Sequence, residues 1–182
     1  QKFLNLSLEN MRNNDKQTNR FEYYALPYYF KPKPKHVLIV GSGVGNDVAS
    51  AIRNGAGKVD AVEIDPAILQ FGKDLHPESP YQAGNVTAIV NDARTFIRHT
   101  DKRYDLIVYG LLDSHSLLSG VSGGIRLDSY VYTVEGFREA RRRLENNGIM
   151  SLSFSVMNDK LGRKLFLMLQ EAFNGESPVV YQ

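Results

Sequence analysis

The chain has no cysteine in its 182 residues. That excludes disulfides and cysteine zinc sites, and it agrees with a reducing compartment. No apolar run approaches the length of a membrane-spanning helix, and no signal-peptide pattern is present. There is little net charge either: the formal value is +2 at pH 7, which gives no electrostatic case for nucleic acid as a partner. No internal repeat and no low-complexity stretch occurs. The length suits one domain with a sizeable core. The chain opens on Gln1 rather than Met, so the expectation is a piece of a longer protein, cytoplasmic or on the cytoplasmic face of a membrane protein.

What is present is concentrated in His36 to Asp65, HVLIVGSGVGNDVASAIRNGAGKVDAVEID. Val37-Leu38-Ile39-Val40 is apolar without alternation, as in a parallel strand covered on both faces. The turn Gly41-Ser42-Gly43-Val44-Gly45 follows at once, and glycine lets a backbone bend sharply and lets a ligand approach closely. Asn46 and Asp47 are expected to cap the next helix, whose N-terminus carries free N–H groups and partial positive charge. A second strand, Val59 to Ile64, ends at Glu63, an acid able to accept both hydroxyls of a ribose. The unit reads as a nucleoside-binding half of a doubly wound α/β fold. The glycines form GxGxG, with Asn46 where a dinucleotide fingerprint has its third glycine. No Lys-Ser/Thr pair follows, so this is not a phosphate-cradling loop. GxGxG with an acid ending the next strand is the arrangement of S-adenosylmethionine binders; a tight turn without ligand is the alternative.

The remainder alternates strand and helix. Asp65 caps a helix with Pro66 at its first position, and Ile68, Phe71 and Leu75 give it an apolar face. Val86 to Val90 is a third buried strand. Asp92 caps the helix Ala93 to Arg98, accepts from an adenine amino group, or does both. Tyr104 to Tyr109 is the fourth strand. Gly110 to Ser129 is too long for a plain connection, so it is a lid, a binding loop, a partner surface or disordered. Thr133 caps a helix through Leu144, which Asn147-Gly148 ends. A fifth strand spans Ile149 to Phe154, a helix Asp159 to Phe173, and Val179-Val180-Tyr181 begins a sixth strand. Tyr23, Tyr24, Tyr28 and Tyr29 are expected to pack against the sheet, and Arg138, Arg141, Arg142 and Arg143 to form a solvated helix face. The glycine turn, Glu63, Asp92 and Gly110 all fall at C-terminal strand ends, where ligands bind in an open parallel sheet.

LPYYFKPKPKHVLIVGSGVGN, VDAVEIDPAI, VNDARTFI, YDLIVYGLLDS and YTVEGFREARRRLENNGI, in this order and spacing, resemble the spermidine synthases, the aminopropyltransferase branch of the class I methyltransferase fold. The resemblance runs from about Phe21 to Phe154. It implies a site for S-adenosylmethionine or decarboxylated S-adenosylmethionine on Gly41, Ser42, Gly43, Gly45, Glu63, Ile64, Asp92 and Ala93, with no metal, and a small amine acceptor. It implies that residues 1–30 are an extension in which Gln1 to Leu8 would be the remnant of a small β domain, with residues 31–182 the nucleoside-binding domain. A sheet lacking its last strands leaves an edge that invites pairing, so a homodimer is expected, as is tethering within a larger membrane protein.

Two departures accompany the resemblance. The family has two acids three residues apart after its fourth strand. Here the first, which helps hold the diamine, falls on Gly110, and the second, which deprotonates the attacking amine, falls on Asp113. The family's glycine turn carries an acid where this chain has Val44. A sulfonium is an activated leaving group, so the reaction needs a neutral amine in line and a base. Asp113 is the candidate base, and His115, which titrates near neutrality, the second candidate; loop positions without a catalytic part are the alternative for both. The functions to separate are aminopropyl transfer to an amine, methyl transfer, and nucleoside sensing without catalysis.

Overall fold

The computed structural model describes residues 15–110, 131–154 and 158–180. Five parallel strands form one sheet: β1 (His36–Val40), β2 (Lys58–Glu63), β3 (Val86–Val90), β4 (Tyr104–Tyr109) and β5 (Leu144–Leu152), in the order β3-β2-β1-β4-β5. The helices are α1 (Asp15–Phe30), α2 (Asn46–Arg53), α3 (Pro66–Leu75), α4 (Ala93–His99), α5 (Val134–Arg142) and α6 (Asp159–Ala172). Strand order reverses between β1 and β4, so the crevice at their C-terminal ends is the switch point of a doubly wound sheet.

The unbroken apolar run of β1 is explained by its place. Val37 stands opposite Val59 and Leu106, and both faces of the strand are covered. Val37 and Ile39 pack with Tyr28 of α1, Val48 and Ala51 of α2 and Leu69 of α3. Leu38 and Val40 pack on the other face with Ile97 of α4, Phe137 and Ala140 of α5 and Ala172 of α6. Each such side chain, fully buried, contributes about 1.5–3 kcal/mol. At the far end of the strands the buried Asp60 accepts from Lys102 Nζ at 2.8 Å and from the Tyr104 hydroxyl at 2.9 Å, with His36 Nε2 at 3.2 Å. β1, β2 and β4 are thereby clamped at the end remote from the glycine turn.

Several local expectations are corrected. Tyr23 to Phe30 lie in α1, a helix the sequence reading did not foresee; Tyr28 is buried in the core, while Tyr29 is 71% exposed. Helix α3 buries Leu69 and Gly72, and Phe71 and Leu75 face solvent. β3 is an edge strand with Thr87 and Val90 exposed, not a fully buried one. Helix α5 stops at Arg142, before Leu144, because Leu144 already pairs with Tyr104. The extra residues before Ile149, which pairs with Leu106, form an irregularity in β5. Gly148 sits there because a Cβ would come 2.8 Å from the Tyr104 carbonyl oxygen. Val179 and Val180 are exposed and outside any strand among the described residues.

Candidate functional site

The glycine turn leaves β1 with Gly41, Gly43 and Gly45 at φ 67°, 55° and 104°, left-handed values that favour glycine. Gly45, not Asn46 or Asp47, is the N-cap residue of α2, and no side chain caps that helix. The turn is braced from three sides. Ser42 N–H donates to the Val62 carbonyl at 2.9 Å. Gly43 N–H donates to Glu63 Oε2 at 2.8 Å. The Tyr81 hydroxyl lies 2.7 Å from the Gly43 carbonyl oxygen, to which it donates, and 2.9 Å from Ser42 Oγ.

Glu63 is buried at the end of β2, and its Oε1 accepts from Asp65 N–H at 3.0 Å. Two backbone donors therefore hold the carboxylate, one from each loop beside the crevice. A carboxylate has about four acceptor positions, so two are left for a ligand's hydroxyls. Asp65 caps α3, accepting from Ala67 and Ile68 N–H, which fixes the loop that follows Glu63. Asp92 caps α4 through Thr95 N–H at 2.7 Å. Ile64 is half exposed, while Ala93 is buried. Parallel pairing of β2 with β3, continued by Asn91 N–H to the Glu63 carbonyl, sets Asp92 and Ala93 in the loop next to Glu63 and Ile64. Gly41, Ser42, Gly43, Gly45 and Glu63 thus share one wall of the crevice, and Asp92 and Ala93 stand one strand further out. Asp113 and His115 lie outside the described residues, as does the Gly110 to Ser129 loop beyond Gly110 itself.

The structure adds residues that sequence reasoning missed. Tyr81, in the short 3₁₀ turn Pro80–Gln82, supports the glycine turn from below. Gly72, in the middle of α3, allows that helix to touch the turn: a Cβ there would stand 2.6 Å from the Val44 carbonyl oxygen and 2.7 Å from the Tyr81 ring. A glycine inside a helix was the available signal. Buried His76 accepts from Glu78 N–H through Nδ1, which leaves Nε2–H to donate to Asn46 Oδ1 at 3.3 Å. Burial holds this imidazole below its ordinary pKa. Asp47 enters the crevice, with Oδ2 2.8 Å from the place of a Cβ on Gly110. Burial pushes its carboxyl up to about 7.

A cavity of about 980 Å³ opens at the opposite end of the sheet among Arg98, Arg103, Arg138, Arg141, Arg142 and Arg143. Arg138 and Arg142 are exposed, as expected of a solvated face, whereas Arg143 donates to the carbonyls of Ile97 and Arg98 and Arg141 to that of Ala172; Arg103 donates to those of Arg142 and Leu144. Arg98 pairs with Glu139 and Arg138 with Glu171. The guanidiniums of Arg143, Arg141 and Arg103 thus reach the last carbonyls of α4, α6 and α5.

The family model for the spermine/spermidine synthase domain matches residues 23–167. The polyamine aminopropyltransferase of Methanocaldococcus jannaschii is 25% identical over 141 residues, which are 74% of this chain and 45% of that protein. The polyamine aminopropyltransferase of Thermoplasma acidophilum is 26% identical over 112 residues, 58% of this chain and 41% of that protein. The chain spans less than half the length of these curated relatives. The spermidine synthase of Thermotoga maritima superposes with a TM-score of 0.67 at 16% identity, covering 84% of this chain and 51% of that one. Human methyltransferase-like protein 13 in complex with SAH gives a TM-score of 0.62 at 19% identity, covering 85% of this chain and 72% of that one. The structural likeness shows a fold of the class I methyltransferase type, and by its sequence the chain belongs to the spermine/spermidine synthase family.

Proposed function

We propose that this chain binds decarboxylated S-adenosylmethionine, or S-adenosylmethionine itself, in the crevice beside the glycine turn, and that the protein transfers the donor's aminopropyl group to a small amine. The observation that carries the reading is Glu63: a buried carboxylate held by Gly43 and Asp65 N–H with acceptor positions to spare. Ribose hydroxyls would take those positions. Ile64 and Asp92 would meet the adenine, and the open backbone of Gly41 to Gly43 would pass the sulfonium end. The names of the relatives, polyamine aminopropyltransferases, support the choice of transferred group.

The chemistry asks little of the protein. The acceptor nitrogen's lone pair forms a bond to the aminopropyl carbon next to sulfur. The C–S bond breaks, its electron pair returns to sulfur as a neutral thioether, and the nitrogen gives its proton to a base. Holding nitrogen and carbon in line supplies much of the acceleration. The family resemblance assigns the base to Asp113, with His115 two residues on.

Thermal unfolding with S-adenosylmethionine, decarboxylated S-adenosylmethionine, methylthioadenosine and NAD tests the reading. The adenosine thioether and at least one sulfonium donor should raise the melting temperature. Stabilisation by NAD alone, or by none of the four, would overturn the ligand assignment. Stabilisation followed by methyl transfer would replace the aminopropyl group by a methyl group.

A further inference from the structure

The end of the sheet away from the glycine turn gathers six arginines around one cavity of about 980 Å³. Arg98 comes from α4, Arg103 stands just ahead of β4, Arg138, Arg141 and Arg142 belong to α5, and Arg143 follows that helix. No lysine is among the described residues that line it. Two carboxylates meet these cations among the described residues. Glu139 is shared between Arg98 and Arg94, and Glu171 pairs with Arg138. The C-termini of α4, α5 and α6 also meet here, each equivalent to about half a negative charge. Six guanidiniums against two carboxylates and three helix ends leave about two and a half positive charges. The whole chain carries +2, so the excess is local and not a general basicity.

The contacts to helix ends do not exhaust the donors. Arg143 uses Nε and Nη2 on the carbonyls of Ile97 and Arg98, Arg103 uses Nη1 on those of Arg142 and Leu144, and Arg141 uses Nη1 on that of Ala172. A guanidinium has five N–H donors, so each retains more than it uses. The same contacts hold the cations in place before a ligand arrives, and the Arg141 guanidinium also lies over the Phe173 ring, 5.7 Å from its centroid. The Arg142 guanidinium has no hydrogen bond or ion pair among the described residues. Arg98, Arg103, Arg138 and Arg142 are exposed, so an anion reaches them from solvent.

A planar guanidinium matches phosphate oxygens in a two-pronged fashion, where lysine offers only a point charge. Several such forks around one cavity suit several closely spaced negative charges on one ligand. A chain of phosphates supplies them, and a single carboxylate does not. The volume is that of a small-molecule site. The arginines ring a hollow, whereas a nucleic-acid backbone is tracked by a groove or stripe of charge.

We propose that this cavity binds a small oligophosphate, either free or as the phosphate chain of a nucleotide. The site lies apart from the crevice beside Glu63 and does not depend on the nucleoside reading.

The test is calorimetry on the full-length protein at constant, near-physiological ionic strength, with methylthioadenosine saturating the crevice. The probes are tripolyphosphate, adenosine triphosphate and sulfate. One oligophosphate should bind per chain, at least about tenfold tighter than sulfate. Adenosine triphosphate binding tighter than tripolyphosphate makes a nucleotide the ligand, and the reverse order makes it a free oligophosphate. Arg138→Gln combined with Arg142→Gln should weaken tripolyphosphate by about tenfold or more, the loss expected for hydrogen bonds between charged groups. Arg163→Gln combined with Lys164→Gln removes the same charge from exposed positions in the first half of α6, and should change the affinity by less than about twofold. Arg142→Gln alone breaks no contact among the described residues and should show part of the loss, which serves if the first pair unfolds the protein. No oligophosphate binding by the wild type, equal losses in the two double variants, or unchanged affinity in Arg142→Gln would overturn the proposal. A single-stranded oligonucleotide that displaces tripolyphosphate and binds at least about tenfold tighter would overturn it in favour of nucleic acid. Oligophosphate binding by a protein that takes no methylthioadenosine would support the proposal and overturn the nucleoside reading instead.

Discussion

Replacing Glu63 by alanine separates two roles that one carboxylate combines. In the protein Glu63 accepts from Gly43 N–H at 2.8 Å and from Asp65 N–H at 3.0 Å. A backbone donor left unsatisfied in a buried place costs about 1–3 kcal/mol. The two together would cost about 2–6 kcal/mol, and water reaching the emptied crevice lowers this toward about 2–3. The ligand loses two charge-assisted bonds from its ribose, each worth about 1.5–3 kcal/mol. Even half of one pair lost, at about 1.4 kcal/mol per factor of ten, weakens binding by at least about tenfold. Urea unfolding gives the first quantity and calorimetric titration with methylthioadenosine the second, both at a temperature where the variant remains folded. Glu63→Gln keeps an acceptor for one N–H but sets its amide N–H₂ against the other, so it should be less unstable than the alanine variant and still bind poorly. A folded Glu63→Ala protein with unchanged affinity would remove Glu63 from the site and with it the reasoning about the carboxylate's spare acceptor positions.

Other outcomes follow from the same geometry. Gly72→Ala drives a Cβ to within 2.6 Å of the Val44 carbonyl oxygen; overpacking of this kind costs about 1–3 kcal/mol, and because α3 must shift off the glycine turn, denaturant unfolding and nucleoside affinity should both report it. Asp47 makes stability depend on pH. Its carboxyl rises from 3.8 to about 7 in the folded protein, so between those values the native state holds a proton that the unfolded chain has released, and stability falls as pH rises through that window. Tyr24, Tyr28 and Tyr81, which feel its charge, are themselves pushed up by burial and stay neutral there. His76, held below its ordinary pKa by burial, works in the opposite direction; the difference between wild type and Asp47→Asn isolates the aspartate. That difference should grow in the variant's favour from pH about 4 to pH about 7 and level off above; a flat difference would contradict the raised pKa of Asp47.

Much of this arrangement is legible in the sequence where local chemistry and tertiary environment agree. Val37 to Val40 could be apolar at every position only in a central strand, and it is central. Asp65-Pro66 announced a helix start that the capping bonds realise. Legibility fails where a distant neighbour decides. Tyr23, Tyr24, Tyr28 and Tyr29 show no helical start or stop signal of their own, yet Asp15–Phe30 is helical and Tyr28 packs in one cluster with Val37 and Ile39. Asn147-Gly148 marks a helix end by its local chemistry, yet α5 ends at Arg142 because pairing with Tyr104 claims Leu144 for the sheet. Phe71 and Leu75 fitted an apolar stripe by spacing, whereas contact with the glycine turn selects Leu69 and Gly72. Asp47 read as a helix cap because the sequence around it shows only a helix N-terminus; its relation to Gly110 exists only once β1 and β4 lie side by side.

The central claim is that the crevice beside Glu63 serves aminopropyl transfer. It is tested most directly by incubating the full-length protein with decarboxylated S-adenosylmethionine labelled in its aminopropyl carbons and with putrescine or a longer polyamine as acceptor. The account predicts label in the amine product and methylthioadenosine released in equal amount, both lost in Glu63→Ala. Label that stays on the nucleoside with every amine, while that nucleoside is bound, would contradict it.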